Sequence, residues 1–195
     1  QDPAIAAPAR SMAAEARGQL PVGTVTLLSS DIERSTELVR ALGPDAWGRI
    51  LSRHQALMRE SFAAHGGSEV DTQGDAFFVS FPRAADAVRA AVAAQRAHGA
   101  EDWLDNTRVS VRIGLHTGTP TRGEERYVGL DVHRVARVTA AAHGGEILCT
   151  AATAGLVGAD EVGVRFDALG PYRRKDLPPP QQQFRPPPVE KRHEP

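Results

Sequence analysis

The chain has 195 residues, of which 41% are hydrophobic and 24% are charged, so it is long enough for one globular domain with flexible ends. The formal net charge of −1 and a pI near 6.7 exclude a general electrostatic attraction to nucleic acid or to anionic lipid. No stretch approaches the roughly 18 consecutive apolar residues of a membrane helix, so we expect no membrane segment. The only cysteine, Cys149, lies in an apolar run, which predicts a buried thiol and a reducing, cytoplasmic setting.

The two ends of the chain differ in composition from the rest. Residues 1–21 are rich in alanine with scattered arginine and proline, and we predict a flexible linker or tag remnant. Residues 178–195 contain two Pro-Pro-Pro runs around Gln-Gln-Gln, which favours an extended tail that builds no core. A frayed tail and a proline-rich ligand for a partner both fit this composition. The folded domain is therefore expected at residues 22–177.

Between the ends, hydrophobic periodicity alternates between strand and helix. The order β-α-β-β-α-β, with additions, predicts an α+β fold of the ferredoxin-like sandwich type, with two helices on one face of a mainly antiparallel sheet. The predicted strands cover residues 24–28, 68–81 (a pair), 109–115 and 146–150, and the predicted helices cover residues 44–64, 83–98 and 132–142.

Two acidic residues next to predicted strands are candidates for a metal site. Asp31 follows the first apolar run and precedes a helix start, where a carboxylate and helix N-terminal amides suit a cation and a phosphate. An N-cap or turn residue is the alternative interpretation of Asp31. Asp75 follows Gly74 between two β-prone runs, and Gly-Asp is typical of a hairpin turn, so a structural role is again the alternative. Neither residue alone indicates a function.

Five motifs, taken in order, resemble the signatures of class III adenylyl and guanylyl cyclases, and the similarity covers about residues 22–184. The resemblance is to bacterial single-domain cyclases and implies the cyclase homology fold. It also implies formation of a 3',5'-cyclic nucleotide and pyrophosphate from ATP or GTP by a head-to-tail homodimer. The motifs are Asp-Ile-Glu-Arg-Ser-Thr at 31–36, Thr-Gln-Gly-Asp-Ala-Phe-Phe at 72–78, Arg-Ile-Gly-Leu-His-Thr-Gly at 112–118, Tyr-Val-Gly at 127–129 leading to Val-Ala-Arg at 135–137, and Leu-Gly at 169–170 with Arg-Lys-Asp-Leu at 174–177.

The resemblance also implies a two-metal site. Two Mg²⁺ or Mn²⁺ ions would lie between Asp31 and Asp75, and Ile32 would add its backbone carbonyl. One ion would lower the pKa of the 3'-hydroxyl and the other would neutralise the triphosphate, as in two-metal sites generally. The helix-opening amides, including those of Ser35 and Thr36, would meet phosphate.

Two basic residues would act from the partner chain. By the same resemblance, Arg137 would stabilise the charge that develops at the reacting phosphate, and Lys175 would hold the terminal phosphates. The alternatives are a solvated arginine on a helix face and one member of a surface cluster. The family usually has glycine where this chain has Arg34, so the guanidinium of Arg34 could itself contact phosphate.

Three positions depart from the adenylyl cyclase pattern. Asp71 replaces a lysine and Arg126 replaces an aspartate of the base-reading pair. With the charges exchanged, the pair could read guanine, and the alternative is that the two residues form a salt bridge and read nothing. His133 replaces an asparagine that assists the transition state, and losing one such donor typically costs about 10² to 10³ in turnover. We therefore expect weak cyclase activity. The rival hypothesis is a degenerate cyclase domain that binds a nucleotide or only dimerises, within a longer signalling protein that carries regulatory domains.

Overall fold

The computed structural model describes residues 20–123 and 126–163 of the chain. Its centre is a five-stranded sheet. The strands of this sheet are β1 (Val25–Ile32), β2 (Ser68–Gln73), β3 (Ala76–Phe81), β4 (Val111–Gly118) and β7 (Ile147–Cys149), and a separate hairpin is formed by β5 (Thr121–Arg122) and β6 (Tyr127–Val128). The order in the sheet is β2-β3-β1-β4-β7, and every neighbouring pair is antiparallel except β4 and β7, which are parallel.

Three long helices accompany the sheet: α1 (Ser35–Ala63), α2 (Ala84–Ala100) and α3 (Leu130–Ala141). Helix α1 is kinked at Gly43, whose φ of 78° is not helical and which precedes Pro44. This kink explains why the apolar periodicity begins at residue 44, although a helix start was also expected after Asp31. The short helices α4 (Ala151–Ala154) and α5 (Ala159–Val162) and a 3-10 turn (Leu104–Asn106) complete the described part.

The two faces of the sheet carry different helices. Successive residues of a strand point to opposite faces, so Leu28 faces the main core with α1 and α2 whereas Leu27 faces the opposite side. The main core contains these fully buried large side chains: Leu28, Met58, Phe77, Phe81 and Leu115. The expected pair of helices on one face is therefore present, and the third helix covers the other face.

Helix α3 lies directly on the backbone of β1 and β4. A Cβ atom at Gly114 would collide with Thr139 of the helix, so only glycine permits this approach. The Thr139 hydroxyl donates a hydrogen bond of 3.1 Å to the carbonyl of Ser29 in β1. The second core, between α3 and the sheet, holds Val25, Leu27, Val70, Tyr127 and Val135.

The predicted α+β class and the order of the main elements are confirmed by this architecture. Packing begins slightly before the expected domain start, because Leu20 contacts the second core and the carbonyl of Pro21 accepts a 2.6 Å hydrogen bond from the Tyr127 hydroxyl. Cys149 is buried as expected, and burial raises the pKa of its thiol to about 12. Among the described residues, no helix has both the length and the apolar character needed to cross a membrane. The predicted tail at 178–195 lies outside the described residues.

Candidate functional site

One hydrogen bond joins Asp75 to the end of β1, next to Asp31. The amide of Ile32, the residue after Asp31, donates a 2.8 Å hydrogen bond to Oδ2 of Asp75. Ile32 is buried at 2% exposure and anchors this strand end in the main core, while Asp31 and Asp75 are only partly buried. The fold therefore brings together two carboxylates that are 44 positions apart in the sequence, on a surface that solvent reaches.

Asp75 lies in a two-residue turn between β2 and β3. Gly74 has a φ of 60°, a left-handed conformation that costs glycine little, so the Gly-Asp pair forms the predicted hairpin. The turn also contacts helix α1, because Gln55 donates from Nε2 to the carbonyl of Gly74 at 2.8 Å and His54 Nε2 lies 3.0 Å from the carbonyl of Asp75.

Arg112 is a site residue that the sequence patterns did not single out for a role. Its guanidinium binds Asp31 through two hydrogen bonds, Nε to Oδ1 at 2.7 Å and Nη2 to Oδ2 at 2.8 Å. The two residues are direct cross-strand neighbours in β1 and β4, so they project from the same face of the sheet. The hydrogen bonds to Asp31 raise the pKa of Arg112. The two residues form a bidentate salt bridge in which about 70% of each side chain is buried. The strand register was the missing signal, because it cannot be read from either strand alone.

The start of α1 continues from β1 through Glu33 and Arg34. Arg34 has a φ of 57° and a ψ of 33°, which is the left-handed region, and its side chain makes no capping hydrogen bond. The first amides of a helix have no intrahelical acceptor, so those of Ser35 and Thr36 are available at this end. Ser35 is half-buried and Thr36 is exposed. A phosphate-binding role for this segment stays a prediction.

His133 and Arg137 lie on the outer face of α3. The buried residues of this helix are Val135, Val138 and Thr139, and residues 133 and 137 fall on the opposite side of the helical wheel, one turn apart. Both side chains are exposed. Within one chain, α3 thus directs these two residues away from the sheet face that carries Asp31.

Helix α3 is fixed at its first turn by Asp131. The carboxylate accepts hydrogen bonds from Nε2 of His116 at 3.0 Å, from Nη1 of Arg134 at 2.8 Å and from the amide of Thr119 at 3.0 Å. Burial acts to raise the pKa of Asp131, but the hydrogen bonds from His116 and Arg134 outweigh it, and the pKa lies below its usual value. Burial lowers the pKa of His116, against the effect of Asp131. His116 also contacts the Thr150 hydroxyl through Nδ1 at 3.0 Å.

Asp71 and Arg126 are both exposed. The carboxylate of Asp71 accepts hydrogen bonds from the amide of Thr72 at 2.9 Å and from the side chain of Gln73 at 3.1 Å. Within residues 20–123 and 126–163, no ion pair joins Asp71 to Arg126, so the expected intrachain salt bridge is absent there. Lys175, with its Arg-Lys-Asp-Leu motif, lies outside the described residues.

The donor set at Asp31 and Asp75 fits a divalent cation that is shared with a substrate. The described residues contain no group of three or more His, Cys, Asp and Glu side chains that could hold a metal ion by themselves. Mg²⁺ is typically bound by one or two carboxylates together with substrate phosphates. Two carboxylates beside helix N-terminal amides satisfy that requirement.

Comparison with known proteins identifies the family. Residues 19–176 match the adenylate and guanylate cyclase catalytic domain, and the chain belongs to this family. An uncharacterised protein of Mycobacterium tuberculosis is 37% identical over 139 residues, which cover 70% of this chain and 46% of that protein. An adenylate cyclase of Podospora anserina is 34% identical over 153 residues, covering 65% of this chain and 7% of that protein. The chain therefore spans less than half the length of these relatives.

A solved structure gives the same fold. The adenylate cyclase from Trypanosoma brucei in its monomeric state superposes with a TM-score of 0.77 and 26% identity, covering 87% of this chain and 91% of that one. The chain is thus a class III cyclase catalytic domain in both sequence family and fold.

Proposed function

We propose that this chain is a divalent-metal-dependent purine nucleotidyl cyclase that forms a 3',5'-cyclic nucleotide and pyrophosphate from a nucleoside triphosphate. The observation that supports the proposal is the hydrogen bond from the Ile32 amide to Asp75, which holds Asp75 next to the strand end that carries Asp31. With the carbonyl of Ile32, the two aspartates would hold two Mg²⁺ or Mn²⁺ ions, which supply charge neutralisation and a lower pKa at the attacking hydroxyl. A cation at Asp31 competes with Arg112 for the same carboxylate oxygens.

The substrate phosphates would lie over the start of α1. The amides of Ser35 and Thr36 point their partial positive charge toward this region. Lys175 of the partner would bind the terminal phosphates, and Arg137 and His133 of the partner would stabilise the developing charge. Because α3 directs His133 and Arg137 away from its own sheet, a second copy in a head-to-tail homodimer is the arrangement that completes the site.

Turnover is expected to be weak. His133 presents a ring N–H where an amide is usual, and a displaced donor at a site of developing charge costs about 10² to 10³ in rate. The same substitution, together with the charge-exchanged Asp71 and Arg126, favours the second candidate function. In that case the domain binds a nucleotide or dimerises as a signalling module without chemistry.

Direct detection of product separates the two candidates. The purified chain is incubated with Mn²⁺ or Mg²⁺ and with each nucleoside triphosphate, and cyclic product is measured by mass spectrometry. We expect slow product formation that requires the cation and disappears in Asp75→Ala, while Asp86→Ala on α2, remote from the site, keeps it. Nucleotide binding without product would support the signalling module instead.

Base choice tests the roles of Asp71 and Arg126. No ion pair joins Asp71 to Arg126 within the described residues, and we propose that their exchanged charges favour GTP over ATP. A good two-point contact to a base edge contributes about 1 to 3 kcal/mol, which corresponds to a preference of about 5- to 150-fold. The double variant Asp71→Lys with Arg126→Asp is expected to shift selectivity toward ATP, and each single variant, which leaves a like-charged pair, to perform worse than the double. Unchanged selectivity in the double variant would show that the pair does not read the base.

A further inference from the structure

Two neighbouring side chains of α1 contact the backbone of the turn that carries Asp75. Gln55 donates from its amide Nε2 to the carbonyl of Gly74 at 2.8 Å. His54 places Nε2 3.0 Å from the carbonyl of Asp75. The carboxylate of the same aspartate accepts from the amide of Ile32. The turn is thus held from two sides, through its backbone by α1 and through its side chain by β1.

His54 connects this contact to the second helix of the main core. The imidazole is fully buried, and its Nδ1 lies 2.9 Å from Nε2 of His98 in α2. Nδ1 of His98 donates to the carbonyl of Ala94 at 2.8 Å, and the Trp103 indole donates to the carbonyl of His98 at 3.1 Å. The turn is therefore linked to the packing between α1 and α2, and not to the sheet alone.

Gln55 is the clearer of the two donors. Burial, with a smaller effect of His98, lowers the pKa of His54 to about 4, so the ring is neutral near pH 7. A neutral ring has one N–H proton, but two acceptors lie beside it, His98 Nε2 and the Asp75 carbonyl. Gln55 has an amide group with two protons and faces the Gly74 carbonyl directly. Its own oxygen is 3.4 Å from Nη1 of Arg59.

We infer that Gln55 is a positioning residue that, with His54 packed beside it, fixes the Gly74–Asp75 turn and thereby sets the place of the Asp75 carboxylate. For its consequence in catalysis, this inference rests on the proposed metal-dependent function. A two-residue hairpin tip on a partly exposed strand pair has few other constraints, and a displacement of about 1 Å at a reacting centre can cost about 10²-fold in rate. The α1 contacts supply the missing constraint.

The test uses Gln55→Met, which keeps the length of the side chain and removes the donor. The matched control is Ser52→Ala on the same helix, because the Ser52 hydroxyl donates to the carbonyl of Gly48 at 2.8 Å and does not touch the turn. Each variant loses one hydrogen bond from a side chain to a backbone carbonyl, and Gln55→Met also loses the 3.4 Å contact with Arg59. Such a bond contributes about 0.5 to 1.5 kcal/mol, a factor of about 2 to 12.

Two measurements are made on the full chain. Hydrogen–deuterium exchange of the β2–β3 turn is expected to rise about 2- to 10-fold in Gln55→Met and to stay at the wild-type value in Ser52→Ala. The Mn²⁺ concentration for half-maximal turnover is expected to rise by a similar factor in Gln55→Met, with kcat recovered at saturating Mn²⁺. A general loss of structure would instead lower turnover at every Mn²⁺ concentration, including saturating Mn²⁺.

A second pair of variants examines His54. His54→Gln keeps a group that can donate toward the Asp75 carbonyl, whereas His54→Phe keeps a ring without a donor, so exchange at the turn is expected to be faster in the phenylalanine variant. If His54→Phe does not fold, Gln55→Met and His54→Gln still decide the question.

The outcomes distinguish this inference from the proposed function. Turn exchange and Mn²⁺ dependence in Gln55→Met equal to those in Ser52→Ala would overturn the positioning role. If the wild type makes no cyclic nucleotide, the proposed function fails, and the positioning role is then tested by hydrogen–deuterium exchange of the turn alone. Faster exchange in Gln55→Met supports the positioning role, and unchanged exchange overturns it.

Discussion

Arg34 has a backbone conformation that glycine adopts at lower cost. Its φ of 57° is left-handed, which costs an L-residue roughly 1–2 kcal/mol, whereas glycine loses about 0.5–1 kcal/mol of chain entropy. We expect Arg34→Gly to raise the free energy of unfolding by about 0.5–1 kcal/mol, measured by urea denaturation. The control is Arg40→Gly, an exposed arginine inside the same helix, which should lower it by about 0.5–1 kcal/mol. Destabilisation by both substitutions would contradict the left-handed assignment.

Because His54 is buried, we expect the free energy of unfolding to fall between pH 7 and pH 5. Its folded-state pKa of about 4 lies below the unfolded value of 6.5, so the unfolded chain binds a proton first as the pH falls. The stabilisation is complete above pH 6.5 and is lost as the pH falls from there toward 4. Between pH 7 and pH 5 this group should remove about 2 kcal/mol from the free energy of unfolding.

The measurement is the urea midpoint of wild type and variants between pH 7 and pH 5. His54→Gln should flatten the dependence on pH, and His65→Gln, at a less buried ring, is the control for the loss of a histidine elsewhere in the chain. Equal pH dependence in wild type and His54→Gln would show that this ring is not the acid-sensitive group.

The sequence could nominate candidate residues of the site, but it could not give their contacts. Asp31 and Asp75 became candidates through a strand end and a Gly-Asp turn, which are local signals, and the family resemblance implied their role as metal ligands. The fork between Arg112 and Asp31 depends on the register of two strands 81 positions apart, and the contact of Gln55 with the turn depends on how α1 packs. Such contacts come from tertiary packing, which local patterns do not encode.

Asp131 fixes the first turn of α3. Its carboxylate joins α3 to His116 of β4 and to the backbone at Thr119, and the same helix carries His133 and Arg137. Asp131→Asn removes the charge from partly buried hydrogen bonds that are worth about 1.5–3 kcal/mol each when charged. We expect the free energy of unfolding to fall by about 1–3 kcal/mol and turnover to fall with it, measured by urea denaturation and product assay.

The matched control for Asp131→Asn is Asp86→Asn. Asp86 pairs with Arg89 three residues later at 2.9 Å, as Asp131 pairs with Arg134, but it lies on α2 at a partly exposed position. Its substitution should change stability by less than about 1 kcal/mol and leave turnover intact. Similar effects of the two substitutions would mean that the ion pair within the helix, and not the hydrogen bond from Asp131 to His116 of β4, accounts for the lost stability.

The main elements could be predicted because each has a clear period. The strands of the sheet and helices α2 and α3 follow from alternation and from apolar spacing. A helix start after Asp31 and a helix from residue 44 were both expected, but their union into one helix was not, because Gly43 and Pro44 interrupt the apolar pattern. The β5–β6 hairpin was missed because its strands have two residues each, too few to show a period.

The two proposed halves of the active site, the carboxylates and the basic residues of α3, face different directions in one chain. Asp31 lies on the sheet, and Arg137 projects from the far side of the helix that covers the sheet. A head-to-tail pair would bring the Arg137 of one copy to the carboxylates of the other, and a closed two-fold arrangement would form two such sites. The proposed activity is therefore a property of the dimer.

Complementation between two inactive variants tests whether the active site is shared between two chains. Asp75→Ala and Arg137→Ala are each expected to be inactive, and a heterodimer of the two retains one site with both halves intact. Random mixing in equal amounts makes half of the dimers heterodimers, so turnover should recover to about one quarter of the wild-type value. No recovery, with heterodimers demonstrated by native mass spectrometry and with active wild type measured alongside, would contradict the composite site.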